Sequence, residues 1–335
     1  MKSKVYFVEK KEDLGKLRKT IPELKSPVAI KTHFGEKGNV TFPNPVIVSF
    51  FSDSVKDKKA CLIECNVLYK GERTFASTHQ KLAKEHGFNF LPIDICDGEK
   101  GDEEIEIKID EKHFKKAKVG SGVDKYNSIL SVAHFKGHGA CGFGGAIKNI
   151  GMGLASRAGK LEIHSRIMPS IETEKCIGCR ACVDCCPVNA IILNKNNKAE
   201  IDSKKCIGCA KCISVCSKKA VKIPWRGTTN VEFEERLAEY CKAILKNKKT
   251  YFVNLLVDIT EGCDCVGKKM KPFMKDIGFL ASKDPVAIDQ ASFDLVKNTY
   301  GKDPFREKWH VNSEHQLEYA EKINLGTRDY ELVKL

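Results

Sequence analysis

The chain has no apolar run of about 18 residues, so nothing in it reads as a membrane-spanning helix. Its first residues, MKSKVYFVEKKEDLGK, lack the apolar stretch of a secretory signal, and the expected location is the cytoplasm. Zinc-finger spacing, an RNP motif and an aromatic-interleaved basic stripe are all missing, which argues against nucleic acid as a partner. Neither a Walker A sequence nor G-x-G-x-x-G occurs, so nucleotide motifs do not explain its glycine-rich stretches.

What remains is a globular composition, 42% hydrophobic and 30% charged, in 335 residues, enough for one large or two ordinary domains. The formal charge of +13 comes mostly from dispersed lysines and reads first as a solvated surface. Sixteen cysteines are many for such a chain. Without a secretory signal, and with C-x-x-C spacings, they point to metal thiolates rather than disulfides.

Three blocks follow one another. Residues 1–170 alternate short apolar runs (SPVAIKTHF, KKACLIECN, YNSILSVAHFKGH) with helical stretches such as TFASTHQKLAKEHGF, whose Phe75, His79, Leu82 and Ala83 lie near helical spacing ahead of Gly87. Residues 171–224 are dense in cysteine. Residues 225–335 return to the first character, with an amphipathic helix in NVEFEERLAEYCKAILKNK, strands in KTYFVNLLVDIT and DIGFLASKDPVAI, and a helix from about Pro285 to Gly301. The simplest architecture is one layered α/β domain split by an inserted α+β domain; two separate flanking domains are the alternative.

The middle block is an internal repeat with a shift of 30 residues. Cys176, Cys179, Cys182 and Cys186 follow C-x2-C-x2-C-x3-C, with Pro187 next; Cys206, Cys209, Cys212 and Cys216 repeat the spacing, with Ser217 in place of proline. Zinc sites use four ligands without this doubled grammar. The block resembles a bacterial-type two-cluster ferredoxin, in which the fourth cysteine of each run crosses to the other [4Fe-4S] cluster. The resemblance implies one cluster on Cys176, Cys179, Cys182 and Cys216, and another on Cys206, Cys209, Cys212 and Cys186. Two such clusters would remove roughly four positive charges. Cys185 is surplus and reads as a packed or hydrogen-bonding thiol.

Outside it, AHFKGHGACGFGGAIKNIGMG (Ala133–Gly153) is the richest stretch: seven glycines, two histidines, two lysines and a cysteine directly after an expected strand. Glycines let a ligand approach backbone N–H groups. His134, Lys136, His138 and Lys148 are the candidate catalytic residues, with Gly142, Gly144 and Gly145 lining the ligand. Other strand-end loops add Lys31, His33, Glu36 and Asn39, then Glu64, Asn66 and Arg73, and in open α/β sheets ligands bind beyond such ends. VDITEGCDCVG offers Asp258, Cys263, Asp264 and Cys265, which read as a metal or cluster-edge site or as an unbonded thiol pair.

HFGEKGN, GHGACGFGGAIKNIGMG and DIGFLASKDPVAID resemble the signature segments of the family called domain of unknown function 362, over essentially the whole chain. The resemblance implies the α/β architecture and a redox role, and no substrate. A further resemblance is to lactate racemases of the nickel-pincer type, which have a histidine, a glycine-rich run, a cofactor-anchoring lysine and a later histidine. His138 precedes Lys148 by ten residues and His164 follows it by sixteen, with His79 a looser counterpart. Those racemases have no ferredoxin insertion, so what carries over is a related ligand cradle.

Three functions are open. The first is an oxidoreductase passing single electrons between the clusters and an anionic substrate or second cofactor, whether flavin, metal or organic, held by the α/β domain. The second is an electron carrier docking a redox partner protein. The third is a metal-delivery or cofactor-maturation protein with Cys263 and Cys265 as transfer thiols.

Overall fold

A computed structural model describes residues 2–225 and 227–335. Its frame is one eight-stranded sheet. The strands are β1 (Ser3–Val8), β2 (Val28–Lys31), β3 (Cys61–Glu64), β4 (Ile93–Ile95), β5 (Ser128–His134), β6 (Lys249–Leu256), β7 (Gly278–Ser282) and β8 (Tyr330–Lys334), in the spatial order β8-β1-β7-β6-β5-β2-β3-β4. The segments before and after the cysteine-rich block therefore share one sheet, joined where β5 and β6 run parallel with His134 opposite Leu255. β2, β3 and β4 are parallel to β5 as well, while β7 runs antiparallel between β6 and β1.

Both faces are covered. Ala29, Ile129 and Phe252 pack into one core, and Val28, Ile30, Leu130, Tyr251 and Val253 into the other. Strands buried on both sides need no polar face, which is why these segments read as short apolar runs.

Four helices matter for the site: α1 (Ala146–Gly151), α2 (Arg157–His164), α3 (Asn230–Leu245) and α4 (Pro285–Tyr300). Thr229 and Glu232 form a capping box at the start of α3. Asp284 accepts from Val286 and Ala287 at the start of α4, Pro285 takes the first position, and Gly301 ends the helix at φ 88°. The stretch around Gly87 forms a helix over Ala76–Glu85.

Two features depart from the sequence reading. The glycine-rich segment is not an open loop: Lys136–His138 pairs with Gly142–Gly144 as a short hairpin ahead of α1. A second hairpin, Glu104–Lys108 with Lys116–Gly120, carries few apolar residues.

The cysteine-rich block leaves the frame after α2. An antiparallel pair, Ser170–Ile171 with Val221–Lys222, closes its base. Its repeat is visible in the backbone. Positive φ recurs at Gly178 and Gly208, at Arg180 and Ala210, and at Asn189 and Lys219, each pair 30 positions apart. Two short helices, Ala181–Asp184 and Lys211–Val215, follow the first two of those kinks.

Candidate functional site

The order of the parallel strands reverses between β2 and β5: the chain moves outward from β2 to β3 and β4, then returns to β5 and continues the other way to β6. The C-terminal ends of the strands on both sides face one crevice there, the place where open α/β sheets hold ligands. A cavity of about 260 Å³ occupies it. Lys31 and His33 enter from the end of β2, Glu64 from the end of β3, and Tyr69 and Arg73 from the segment after it. Lys136 and His138 follow β5, and Cys263 and Cys265 follow β6. Lys148 and Asn149 of α1, Lys160 and His164 of α2, and Trp225 just past the cysteine-rich block complete the wall.

The wall is cationic, and nearly every cation is held by an internal partner. Lys31 Nζ is 3.0 Å from Glu64 Oε1 and donates to Asn149 Oδ1 at 3.0 Å. Burial pulls the Lys31 ammonium down, and Glu64 offsets part of that. Arg73 donates from Nε to Glu36 at 3.2 Å and from Nη2 to the Tyr69 hydroxyl at 2.7 Å, and its Nη1 is 3.1 Å from His33 Nε2. Lys136 donates to the His134 carbonyl at 2.9 Å and stands 3.6 Å from Asp264. Lys148 donates to Cys263 Sγ at 3.5 Å. Burial works against the Lys148 charge, but the Cys263 and Cys265 sulfurs outweigh it and raise its proton affinity. Among the described residues Lys160 has no carboxylate partner within salt-bridge distance; it donates to the Ala155 carbonyl at 2.6 Å.

The sulfur pair is polarised. A hydrogen bond with Cys265 holds Cys263 well below the ordinary thiol range, aided by Lys148 and Lys136 against the cost of burial. The same bond, with burial, pushes Cys265 well above it. His138 and His164 of the wall favour the neutral ring. Burial, with Lys148 beside it, holds His138 well below the usual imidazole range and brings His164 down to about 3. The Ala140 N–H donates to His138 Nδ1 at 3.2 Å, so Nε2 carries the ring proton.

Other residues singled out from sequence support this wall rather than join it. His134 is committed through Nδ1 to Asp264 at 3.0 Å and through Nε2 to the Val257 carbonyl at 3.1 Å. Glu36 serves Arg73 and Tyr69. Asn39 braces the Cys263–Cys265 segment through the Val266 carbonyl, and Asn66 binds Asp97 and the Gly98 carbonyl. Asp258 receives no place in the cavity wall. His79 is buried beside Phe34, and among the described residues neither of its ring nitrogens has a partner.

The glycines make room for protein, not for a ligand. A Cβ on Gly145 would lie 2.2 Å from Asp289 Oδ1, and one on Gly144 would lie 2.7 Å from Lys148 Cδ. Gly142, at φ 71°, lies against Ser313. Asp289 accepts the first N–H groups of α1, from Ala146 at 2.7 Å and Ile147 at 2.9 Å, and a third bond from Asn254 at 2.8 Å. The anion expected at the glycine-rich segment is thus supplied by the chain itself.

Sequence reasoning missed Lys160, Tyr69 and Trp225. A signal existed for Lys160: it precedes His164 by four residues on α2, so both lie on one helical face.

Two further cavities lie in the cysteine-rich block. One is lined by Cys176, Cys179, Cys182 and Cys216, the other by Cys186, Cys206, Cys209 and Cys212, so each takes three cysteines from one run and one from the other. Backbone N–H groups aim at the sulfurs: Ala199 at Cys176 (3.3 Å), Ala190 at Cys186 (3.2 Å) and Ala220 at Cys216 (3.1 Å). The Ala199 bond lowers the proton affinity of Cys176. Cys185 lines neither cavity; its thiol donates to the Cys182 carbonyl, and burial pushes it up to about 11. Among the described residues no group of three or more His, Cys, Asp or Glu side chains could hold a single metal ion.

The second run faces the frame. Lys211 pairs with Asp102 at 2.8 Å, and Lys70 donates to the Ser214 carbonyl at 2.9 Å. Leu68 and Leu161 of the frame pack into the block's core with Cys182 and Cys212, and Leu68 also lines the strand-end cavity.

No curated protein matches the chain. Among solved structures, a lactate racemase apoprotein from Thermoanaerobacterium thermosaccharolyticum aligns at 12% identity and a TM-score of 0.37, over 76% of this chain and 51% of that one. A Thermotoga maritima protein aligns at 9% identity and a TM-score of 0.44, over 87% and 58% respectively. The chain thus spans little more than half the length of either. The model of one family, described as a domain of unknown function (DUF362), matches residues 28–294, and the chain belongs to that family.

Proposed function

We propose that the chain is an iron–sulfur oxidoreductase in which two [4Fe-4S] clusters exchange electrons with a small anionic ligand or second cofactor in the strand-end cavity. The observation that carries this reading is the pair of four-cysteine cavities with crossed membership. The cysteines fit the group: a cubane binds each thiolate through a different iron, so its ligands stand around a body rather than converge on one point. Backbone N–H groups directed at three of the sulfurs suit thiolates better than thiols. When bound, each cluster supplies one-electron exchange.

The chain's own residues do the rest. Lys211–Asp102 and Lys70–Ser214 fix the second run against the frame, so Cys206, Cys209, Cys212 and Cys186 form the inner site and Cys179, which is exposed, belongs to the outer one. An electron partner protein, a ferredoxin or reductase, docks on the outer side. In the cavity, Lys148 and Lys160 attract the anion, Lys31 and Arg73 set the field behind it, and the neutral His138 donates from Nε2. The same cavity, with its sulfur pair beside Lys148, favours a second reading as a cofactor-maturation protein whose thiols hand over a group.

Anaerobic reconstitution should give about eight irons and eight sulfides per chain. Four irons or fewer would overturn the first reading. Cys216→Ala should damage the site of Cys176, Cys179 and Cys182; damage confined to the Cys206 site would refute the crossed membership.

A further inference from the structure

Cys263 and Cys265 lie beyond β6 in a turn closed by the Val266 N–H on the Cys263 carbonyl at 2.9 Å. The turn folds residue 265 back over residue 263: the Cys265 N–H donates to Cys263 Sγ at 3.5 Å, while Lys148 reaches the same sulfur from α1 at 3.5 Å. Cα atoms two residues apart are separated by at most about 7 Å and by less in a turn, within the roughly 4.4–6.8 Å that a disulfide spans. Both sulfurs border the strand-end cavity, and neither belongs to the cysteine-rich block.

We propose that Cys263 and Cys265 are a redox-active dithiol–disulfide couple, which stores two electrons between the cluster-binding block and the ligand in the cavity. The proposal rests on the electron-transfer reading above and adds the part that reading lacks. A cubane exchanges one electron, whereas most organic substrates change by two. On oxidation the two sulfurs form one S–S bond. The Cys265 proton leaves, and the two electrons would go, one each, to the [4Fe-4S] clusters that the two four-cysteine sites would hold. Reduction reverses each count. The ring closed by so short a chain segment is strained, and strained disulfides are the readily reduced ones.

The polarity of the site suits this exchange. The Lys148 ammonium holds Cys263 as the thiolate that attacks or leaves. When the S–S bond forms, Lys148 loses its anionic neighbour, and the cavity gains an unpaired cation. The oxidised protein therefore binds a small anion more tightly than the reduced one.

The test is differential labelling. Iron-loaded protein is equilibrated anaerobically with glutathione disulfide, then reduced with viologen radical, a one-electron donor, and alkylated with iodoacetamide in denaturant. Iron-free protein runs in parallel, and the peptide containing Cys263 and Cys265 is weighed. After glutathione disulfide it should be unlabelled and lighter by two hydrogens. After viologen it should carry two labels in iron-loaded protein and none in iron-free protein. Two labels after glutathione disulfide, or glutathione adducts in place of an internal bond, would overturn the proposal, as would equal reduction with and without iron. Cys263→Ser and Cys265→Ser should each keep the full iron content and never give the peptide lighter by two hydrogens; after glutathione disulfide the remaining thiol carries one glutathione or one label. An iron count on the same samples separates the two claims. A pair that never links in fully loaded protein removes the couple alone, whereas protein that cannot be loaded removes the electron-transfer reading as well.

Discussion

The sheet of the α/β frame is covered on both faces by apolar side chains, whereas the buried core of the cysteine-rich block is small and includes Cys176, Cys182 and Cys212. The frame can hold its shape by burial. A segment of some fifty residues with so few apolar groups is at the size where metal usually supplies the missing stability. On the proposed reading, one chain joins a self-supporting frame to an element whose order would depend on the clusters it holds.

The largest effect should come from removing iron. Amide exchange within residues 171–224 should lose its protection, while β2, β5 and β6 exchange as slowly as before, because their bonds lie in the doubly covered sheet. Equal protection of the block with and without iron would show that the block, like the frame, holds its shape by burial.

Asp289→Ala should strike the other region. It strips three donors of a buried acceptor and should cost about 3–5 kcal/mol in urea unfolding. The iron content should stay unchanged, and Asp289→Asn should cost less.

A smaller effect distinguishes Asp97. Burial pushes its carboxyl up to about 6 from 3.8, and its Oδ2 has no partner. The folded state thus holds this proton more tightly than the unfolded one. Its stabilising contribution is full below about pH 4 and is lost as pH rises through 6, a change of about 3 kcal/mol. Asp97→Asn should flatten that part of the stability–pH curve of the frame; an unchanged slope would show that Asp97 is not its source.

The smallest effect is expected at Cys185. Cys185→Ala should leave all the iron in place and change stability by less than about 1 kcal/mol. A fall in iron would mean that a ninth cysteine holds metal.

Much of the frame was legible in the sequence because β2, β3, β5 and β6 are buried on both faces and read as apolar runs. The edge strand β8 was not, since two of the five residues of YELVK are charged and it lies against β1 alone on its inner side. At the site, the strand-end loops read from the sequence line one cavity, but the sequence could not say which side chains turn inward. His134 and Lys136 are two residues apart, yet His134 is claimed by Asp264, 130 positions away, and Lys136 reaches the cavity. The same holds for Gly145, whose lack of a side chain serves Asp289 at a distance of 144 residues. Such choices depend on contacts far along the chain, where periodicity carries no information.

The pairing of β1 sets an order of assembly. Among the described residues it bonds to β7 and β8, which the ribosome makes after the cysteine-rich block. Between Lys222 and Lys334 lie 112 residues of synthesis, roughly 5–20 s during which the cysteine-rich block is already made and the sheet is still open at that edge. On the proposed reading, metal insertion would therefore precede closure of the frame, and the Cys263–Cys265 turn would be made only after the cysteines it exchanges electrons with have had time to fill.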